Sequence, residues 1–94
     1  MAKVFEASLE WVPENLGGRK MIPSFGTRYN PLIRIDGAKS ALDWSIDFIC
    51  PQEKEQVDIQ FSFVSEQAPM DMLKKGGSYG IYEGNKKVAI LIIK

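Results

Sequence analysis

The chain contains no histidine and a single cysteine among its 94 residues. Without histidine it has neither a Ser-His-Asp triad nor the usual nitrogen and sulfur ligands of a zinc site. The one cysteine, Cys50, cannot form a disulfide within the chain, which favours a reducing compartment. Because Cys50 ends an apolar alternation, we expect a buried thiol at a strand end rather than a nucleophile.

The chain also lacks an excess of either charge and a long apolar run. Twelve Lys and Arg residues balance twelve Asp and Glu residues, whereas a general nucleic-acid binder usually carries a basic excess. We therefore expect no DNA binding, and any phosphate contact has to come from a local patch. The longest apolar run, residues 88–93, is far shorter than the roughly 20 residues that cross a bilayer. The N-terminal residues carry no apolar signal-peptide core, so we expect no membrane contact and a cytoplasmic location.

No stretch has the order of a catalytic or nucleotide-binding motif. KKGGSYG, residues 74–80, lacks the Gly-Lys-Ser/Thr order of a phosphate-binding loop, and no G-x-S-x-G nucleophile elbow occurs. Asp43 and Asp47 lie on a polar strand face, where solvated carboxylates are commoner than cation sites. No carboxylate pair is marked by its surroundings for acid–base chemistry. We expect no enzyme activity, no cofactor and no catalytic or metal-binding residue.

Apolar and polar residues alternate along most of the chain, over residues 5–11, 42–50 and 57–63. A period of two is typical of strands with one buried face. In the first stretch the inward residues are Phe5, Ala7, Leu9 and Trp11. In the other two they are Leu42, Trp44, Ile46, Phe48 and Cys50, and then Val57, Ile59, Phe61 and Phe63. Three shorter strands are predicted at residues 31–35, 78–83 and 87–93.

Turn signals separate these strands. Gly84-Asn85 suits a tight hairpin turn with a positive φ, Asp36-Gly37 could close or end another, and one helical turn is predicted near Met70, Met72 and Leu73. Six short strands, each with one buried face, predict an all-β fold. Because closure removes exposed edges from so small a sheet, we predict a closed six-stranded antiparallel barrel that forms a single domain over residues 1–94.

The connection after the first strand, GGRKMIPSFGTRYNP in residues 17–31, is basic and free of acids. The three basic residues of this connection, together with the arginine that follows it in the next predicted strand, form a first basic cluster. Two lysines beside the hairpin turn form a second. Basic loop side chains are most often solvated, but with Phe25 and Tyr29 they could track phosphates. The first cluster consists of Arg19, Lys20, Arg28 and Arg34, and the second of Lys86 and Lys87, with Lys74 and Lys75 nearby in the sequence.

Four stretches occur in an order that resembles the C-terminal β-barrel domain (domain III) of elongation factor Tu. They are FEASLEWV, GGRKMIPSF, YNPLIRI and EGNKKVAILIIK, spread over residues 5–94, while residues 40–67 match only in strand pattern. The family domain is a six-stranded antiparallel barrel that does no chemistry, so the resemblance implies the same barrel here as a stand-alone domain. The chain has Lys20 where the family usually has histidine, and it has no P-loop, which excludes GTPase activity.

In that family the domain packs on the GTPase domain, contacts the T-stem of aminoacyl-tRNA and forms part of the surface that the exchange factor sees. The resemblance implies that the RNA- or partner-binding residues here are Gly18, Arg19, Lys20, Glu83 and Gly84, beside Lys86 and Lys87.

Two functions follow as expectations. The first is a non-catalytic, translation-related module that engages a protein partner, either a translation component or a GTPase, and the neutral net charge favours it. The alternative is binding of structured RNA such as tRNA through the local basic edge. Self-association of the barrel also stays open.

Overall fold

A computed structural model describes residues 3–35, 43–54 and 56–94. Its strands are β1 (Phe5–Trp11), β2 (Arg28–Tyr29), β3 (Leu32–Arg34), β4 (Asp43–Ile49), β5 (Gln56–Phe63), β6 (Ser78–Glu83) and β7 (Lys86–Ile93). Two single-turn 3-10 helices cover Glu14–Leu16 and Met70–Met72, and the second is the predicted helical turn. The predicted Asp36-Gly37 turn and the inward position of Leu42 lie outside the described residues. Within the described ranges, no helix has the length and apolar character needed to span a bilayer.

Antiparallel pairing closes the strands into a ring. The order around it is β1, β5, β4, β3, β6 and β7, and β7 pairs again with β1. The predicted all-β fold, a small closed six-stranded antiparallel barrel, is therefore confirmed, with β2 as an additional short strand.

The additional strand β2 continues the line of β3 along β4. Tyr29 lies opposite Phe48 and Leu32 lies opposite Ser45, so both strands keep one register against β4. Pro31 interrupts them because it has no N–H to donate. The Asn30 side-chain amide donates to the Ile46 carbonyl at 3.2 Å, while the Ile46 N–H donates to the Pro31 carbonyl at 3.0 Å. The sequence prediction of a loop up to Asn30 was wrong at Arg28–Tyr29, which β4 orders into a strand.

The core lies inside the barrel and is built from the predicted alternations. Phe5, Trp44 and Val57 pack against it half-buried. Leu91 and Ile93 of β7 and Ile81 of β6 complete it from the other side. Nine of the residues predicted to point inward are buried in the core: Ala7, Leu9, Trp11, Ile46, Phe48, Cys50, Ile59, Phe61 and Phe63.

The β6–β7 hairpin turns at Gly84 and Asn85, as predicted. Gly84 has a φ of 61° and Asn85 has no positive φ, a combination that fits a type II′ turn, in which glycine takes the first central position. A register shift between Ile81 and Tyr82 places one extra residue in β7. As a result, the consecutive residues Val88 and Ala89 are both buried, and the start of β7 contributes two neighbours to the core.

Candidate functional site

The connection between β1 and β2, residues 12–27, reverses the chain at one end of the barrel. Gly17 has a φ of 94°, the left-handed region that glycine enters at little cost. Gly18 is buried, and a Cβ atom there would lie 1.7 Å from the Val12 carbonyl oxygen. The glycines therefore shape this connection, and Gly18 is too buried to offer a ligand much surface.

Arg19 and Tyr29 join this connection to the β6–β7 hairpin through one carboxylate. The Arg19 guanidinium and the Tyr29 hydroxyl both donate to Oε2 of Glu83. Arg19 also lies over the Tyr29 ring, with 5.7 Å between its Cζ and the ring centroid. Burial, and then the hydrogen bond to Glu83, raise the pKa of the Tyr29 phenol above its ordinary range. The two predicted groups of site residues, distant in sequence, thus meet at Glu83.

Exposed lysines surround this junction. Lys20 and Lys86 line an open pocket of about 360 Å³ together with Arg19, Met21 and Glu83. Lys87 and Gly84 are exposed on the hairpin beside it. The structure therefore brings together Arg19, Lys20, Glu83 and Lys86, leaves Gly84 and Lys87 at the margin, and buries Gly18.

Arg28 and Arg34, the rest of the first basic cluster, are paired with acids of β4. Arg28 donates to both oxygens of Asp47 at 2.9 Å, and Arg34 donates to both oxygens of Asp43 at 2.8 and 3.2 Å. These hydrogen bonds hold the pKa of each carboxyl below its ordinary value. Since their charge is compensated within the sheet, the open cationic surface near the connection comes from the lysines.

Sequence reasoning missed the apolar surface of the same region. Leu16, Met21 and Phe25 are 72%, 74% and 70% exposed, although all three belong to one connection. The exposed Ile49 of β4 is adjacent, because the Gly26 N–H donates to the Cys50 carbonyl at 2.8 Å and the Cys50 N–H donates to the Thr27 carbonyl at 2.7 Å. We call Leu16, Met21, Phe25 and Ile49 the apolar patch. A break in the alternation marked this stretch as irregular, but no sequence signal distinguished exposed from buried residues within it.

Elsewhere in the described part of the chain, the cysteine and the acidic residues lie apart from this surface or from one another. Cys50 is 1% exposed at the end of β4, as predicted, and burial raises the pKa of its thiol. Among residues 3–35, 43–54 and 56–94, no three His, Cys, Asp or Glu side chains come together in a way that could hold a metal ion.

Comparison of the chain with protein-family models and with curated proteins finds no match. What the described residues establish is therefore a closed antiparallel barrel with an apolar and cationic surface at one end.

Proposed function

We propose that this barrel is a non-catalytic module that binds a protein partner through the apolar patch. The observation that carries the proposal is the exposure of three large apolar side chains, Leu16, Met21 and Phe25, on one connection. Exposed apolar side chains that cluster, rather than scatter singly, are typical of protein interaction sites. Methionine and aromatic residues are also enriched at such interfaces.

The barrel gives this surface a fixed support. Arg19 ties the connection to the hairpin at Glu83, and the Arg19 Nε also donates to the Met21 carbonyl at 2.9 Å. A connection tied to a neighbouring strand in this way loses less conformational entropy on binding than a free loop does. The cationic rim formed by Lys20 and Lys86 favours a partner with acidic residues around an apolar contact.

The resemblance to domain III of elongation factor Tu makes a translation component or a GTPase the first partner to test. Affinity purification of the tagged protein with and without nuclease separates protein from RNA partners. We expect a protein that is retained after nuclease treatment and that is lost when Leu16 and Met21 are both replaced by serine. Val4→Ser is the matched control, because Val4 is 58% exposed but precedes β1, at the opposite end of that strand. Recovery of no protein, or equal loss with Val4→Ser, would contradict the proposal.

Binding of structured RNA is the second candidate, and the shared pocket of Arg19, Lys20 and Lys86 favours it. If RNA is the ligand, tRNA binding should be salt-sensitive and should weaken when Arg19 and Lys20 are replaced by alanine. Two facts favour the protein partner instead: the net charge is zero, and the Glu83 carboxylate lies inside the basic pocket. Absence of tRNA binding at low salt would remove this candidate.

A further inference from the structure

A narrow cleft is lined by the end of β1 and by residues of the β1–β2 connection, the segment that also carries Leu16, Met21 and Phe25. Its volume is about 190 Å³, and its lining includes Trp11, Pro13, Glu14, Arg19 and Lys20. This is room for one side chain of a partner and too little for a folded ligand. The cleft shares Arg19 and Lys20 with the open basic pocket, so a partner on the patch would reach both.

Trp11, one of the residues that line the cleft, carries a hydrogen-bond donor that no described residue uses. The residue is 6% exposed, and its indole Nε1–H is the one buried side-chain polar atom of the described residues that has no hydrogen-bond partner. A buried donor without an acceptor is costly, and native proteins rarely keep one without a reason. The Val12 N–H donates to the Val88 carbonyl at 2.9 Å, which holds the backbone next to Trp11 in place.

We propose that this cleft receives a carboxylate side chain of the protein partner, which accepts a hydrogen bond from the Trp11 indole and pairs with Lys20. A carboxylate has only acceptor atoms when ionised, which matches an indole N–H and an ammonium group. Lys20 is exposed, and no hydrogen bond or ion pair to a described residue occupies it. The guanidinium of Arg19, in contrast, is already engaged by Glu83.

The Glu14 carboxylate at the same cleft opposes an entering anion. Replacing Glu14 should therefore change the affinity for an acidic ligand in the opposite direction to replacing Lys20. Lys20→Ala should weaken the binding of an acidic ligand and Glu14→Gln should strengthen it. The binding of a purely apolar ligand would change with neither substitution. This inference rests on the proposed function, since the apolar patch supplies the rest of the contact.

The test uses the two tryptophans of the chain, Trp11 and Trp44, as two indole N–H signals in a nitrogen–proton correlation spectrum. Trp44→Phe assigns them. The probe is the capped peptide acetyl-Ala-Leu-Glu-Leu-Ala-amide, and its glutamine counterpart is the control. We expect the Glu peptide to move the Trp11 signal downfield and to leave the Trp44 signal in place, while the Gln peptide binds about tenfold more weakly.

The variants extend the test without touching the core. Lys20→Ala should weaken the Glu peptide about tenfold and Glu14→Gln should tighten it a few-fold, since these substitutions remove an attraction and a repulsion. Lys75→Ala is the matched control, because Lys75 lies away from the cleft. The N–H of its neighbour Gly76 donates to the carbonyl of Ile93, at the end of β7 that is far from Trp11. A Trp11 signal that stays fixed at millimolar peptide would overturn the inference. So would equal shifts with both peptides, or a shift produced by a tRNA stem and not by the Glu peptide.

The inference and the proposed function can fail separately. A captured partner that depends on Leu16 and Met21 but binds Lys20→Ala as tightly as the parent overturns the carboxylate cleft alone. A Trp11 signal that responds to the Glu peptide, when nuclease-treated lysate yields no partner, supports the cleft and contradicts the proposed function.

Discussion

A single carboxylate, that of Glu83, holds together the β1–β2 connection, β2 and the β6–β7 hairpin at one end of the barrel. It accepts hydrogen bonds from Arg19 in the β1–β2 connection and from Tyr29 in β2, so three separate elements depend on its position. Hydrogen bonds to a charged group are stronger than neutral ones, at about 1.5–3 kcal/mol each. The hairpin is thereby coupled to the connection that carries the proposed interaction surface.

Tyr29 should make the stability of the barrel sensitive to alkaline pH. Burial and Glu83 raise the pKa of its phenol in the folded state, whereas in the unfolded chain it ionises near the ordinary value of about 10. The stabilising contribution is complete below that value and is lost as the pH rises above it, by at most about 1.4 kcal/mol per pH unit. Urea unfolding from about pH 9 to about pH 11 measures this slope.

Tyr29→Phe is the control for this slope. It removes the titrating group while the ring keeps its edge contact with Phe48, whose centroid is 5.5 Å away. The variant should be less stable at neutral pH, through loss of the bond to Glu83, but should lose stability less steeply in alkali. Equal slopes in the two proteins would contradict the assignment.

Gly80 lies under the Tyr82 ring on the outer face of β6. A Cβ atom at Gly80 would lie 2.7 Å from Cε1 of Tyr82. The guanidinium of Arg34 lies over the same ring, with its Cζ 4.0 Å from the centroid. We expect Gly80→Ala to destabilise the barrel by about 1 kcal/mol, because the ring must move off its cation. Without the ring, in a Tyr82→Ala background, the same change should be neutral or stabilising, since glycine is unfavourable in a strand.

A double-mutant cycle in urea measures the coupling between the two positions. The expected coupling is about 1 kcal/mol, a typical value for residues in contact. A Gly80→Ala effect of the same size in both backgrounds would mean that the alanine is opposed by the backbone rather than by the Tyr82 ring.

At the scale of the elements, the sequence predicts strands where their periodicity is long enough to read. β1 and β5 were predicted to within a residue or two, because each alternates over seven or more residues. β2 could not be predicted, since its two residues owe their conformation to pairing with β4. The same limit applies to the candidate site: Arg19 and Glu83 were singled out by resemblance, but the exposure of Met21 and the cleft at Trp11 depend on packing between distant segments.

The β4–β5 ladder is one of two in the six-stranded ring of the barrel that cover only two residue pairs among the described residues; the other joins β3 to β6. The β4–β5 ladder covers Ile46–Asp47 against Ser62–Phe63, while β5 pairs with β1 over most of its length. The Val64 N–H donates to the Ser45 carbonyl at 3.0 Å, so even-numbered amides of β5 point towards β4. Before Ser62, the even-numbered amides of Asp58 and Gln60 therefore face a part of β4 with which the described residues form no ladder.

We expect amide hydrogen exchange to alternate along β5. Asp58 and Gln60 should exchange at least about tenfold faster than Ile59 and Phe61, whose amides point towards β1, because amides outside a ladder are protected less. Exchange followed by nuclear magnetic resonance near neutral pH resolves the four amides. Uniform protection along β5 would show that β4 and β5 pair further than this ladder indicates.

At the scale of the whole molecule, β7 completes the barrel. It pairs with β6 on one side and β1 on the other, and it places Val88, Leu91 and Ile93 in the core. Burial of one such side chain is worth about 1.5–3 kcal/mol. The three together are comparable with the total stability of a typical domain, about 5–15 kcal/mol.

A chain shortened after Asn85 should therefore lose its cooperative unfolding transition. Removal of β7 opens two strand edges at once and exposes the apolar faces of β1 and β6, which also invites aggregation. Circular dichroism during urea unfolding measures the transition. The control is Lys94→Ala in the full chain, which breaks an exposed ion pair with Asp58 (2.6 Å) and should change the stability by less than about 1 kcal/mol. A cooperative transition in the shortened chain would mean that the remaining strands close without β7, and that the pairing of β1 with β7 adds stability to the barrel without being needed to form it.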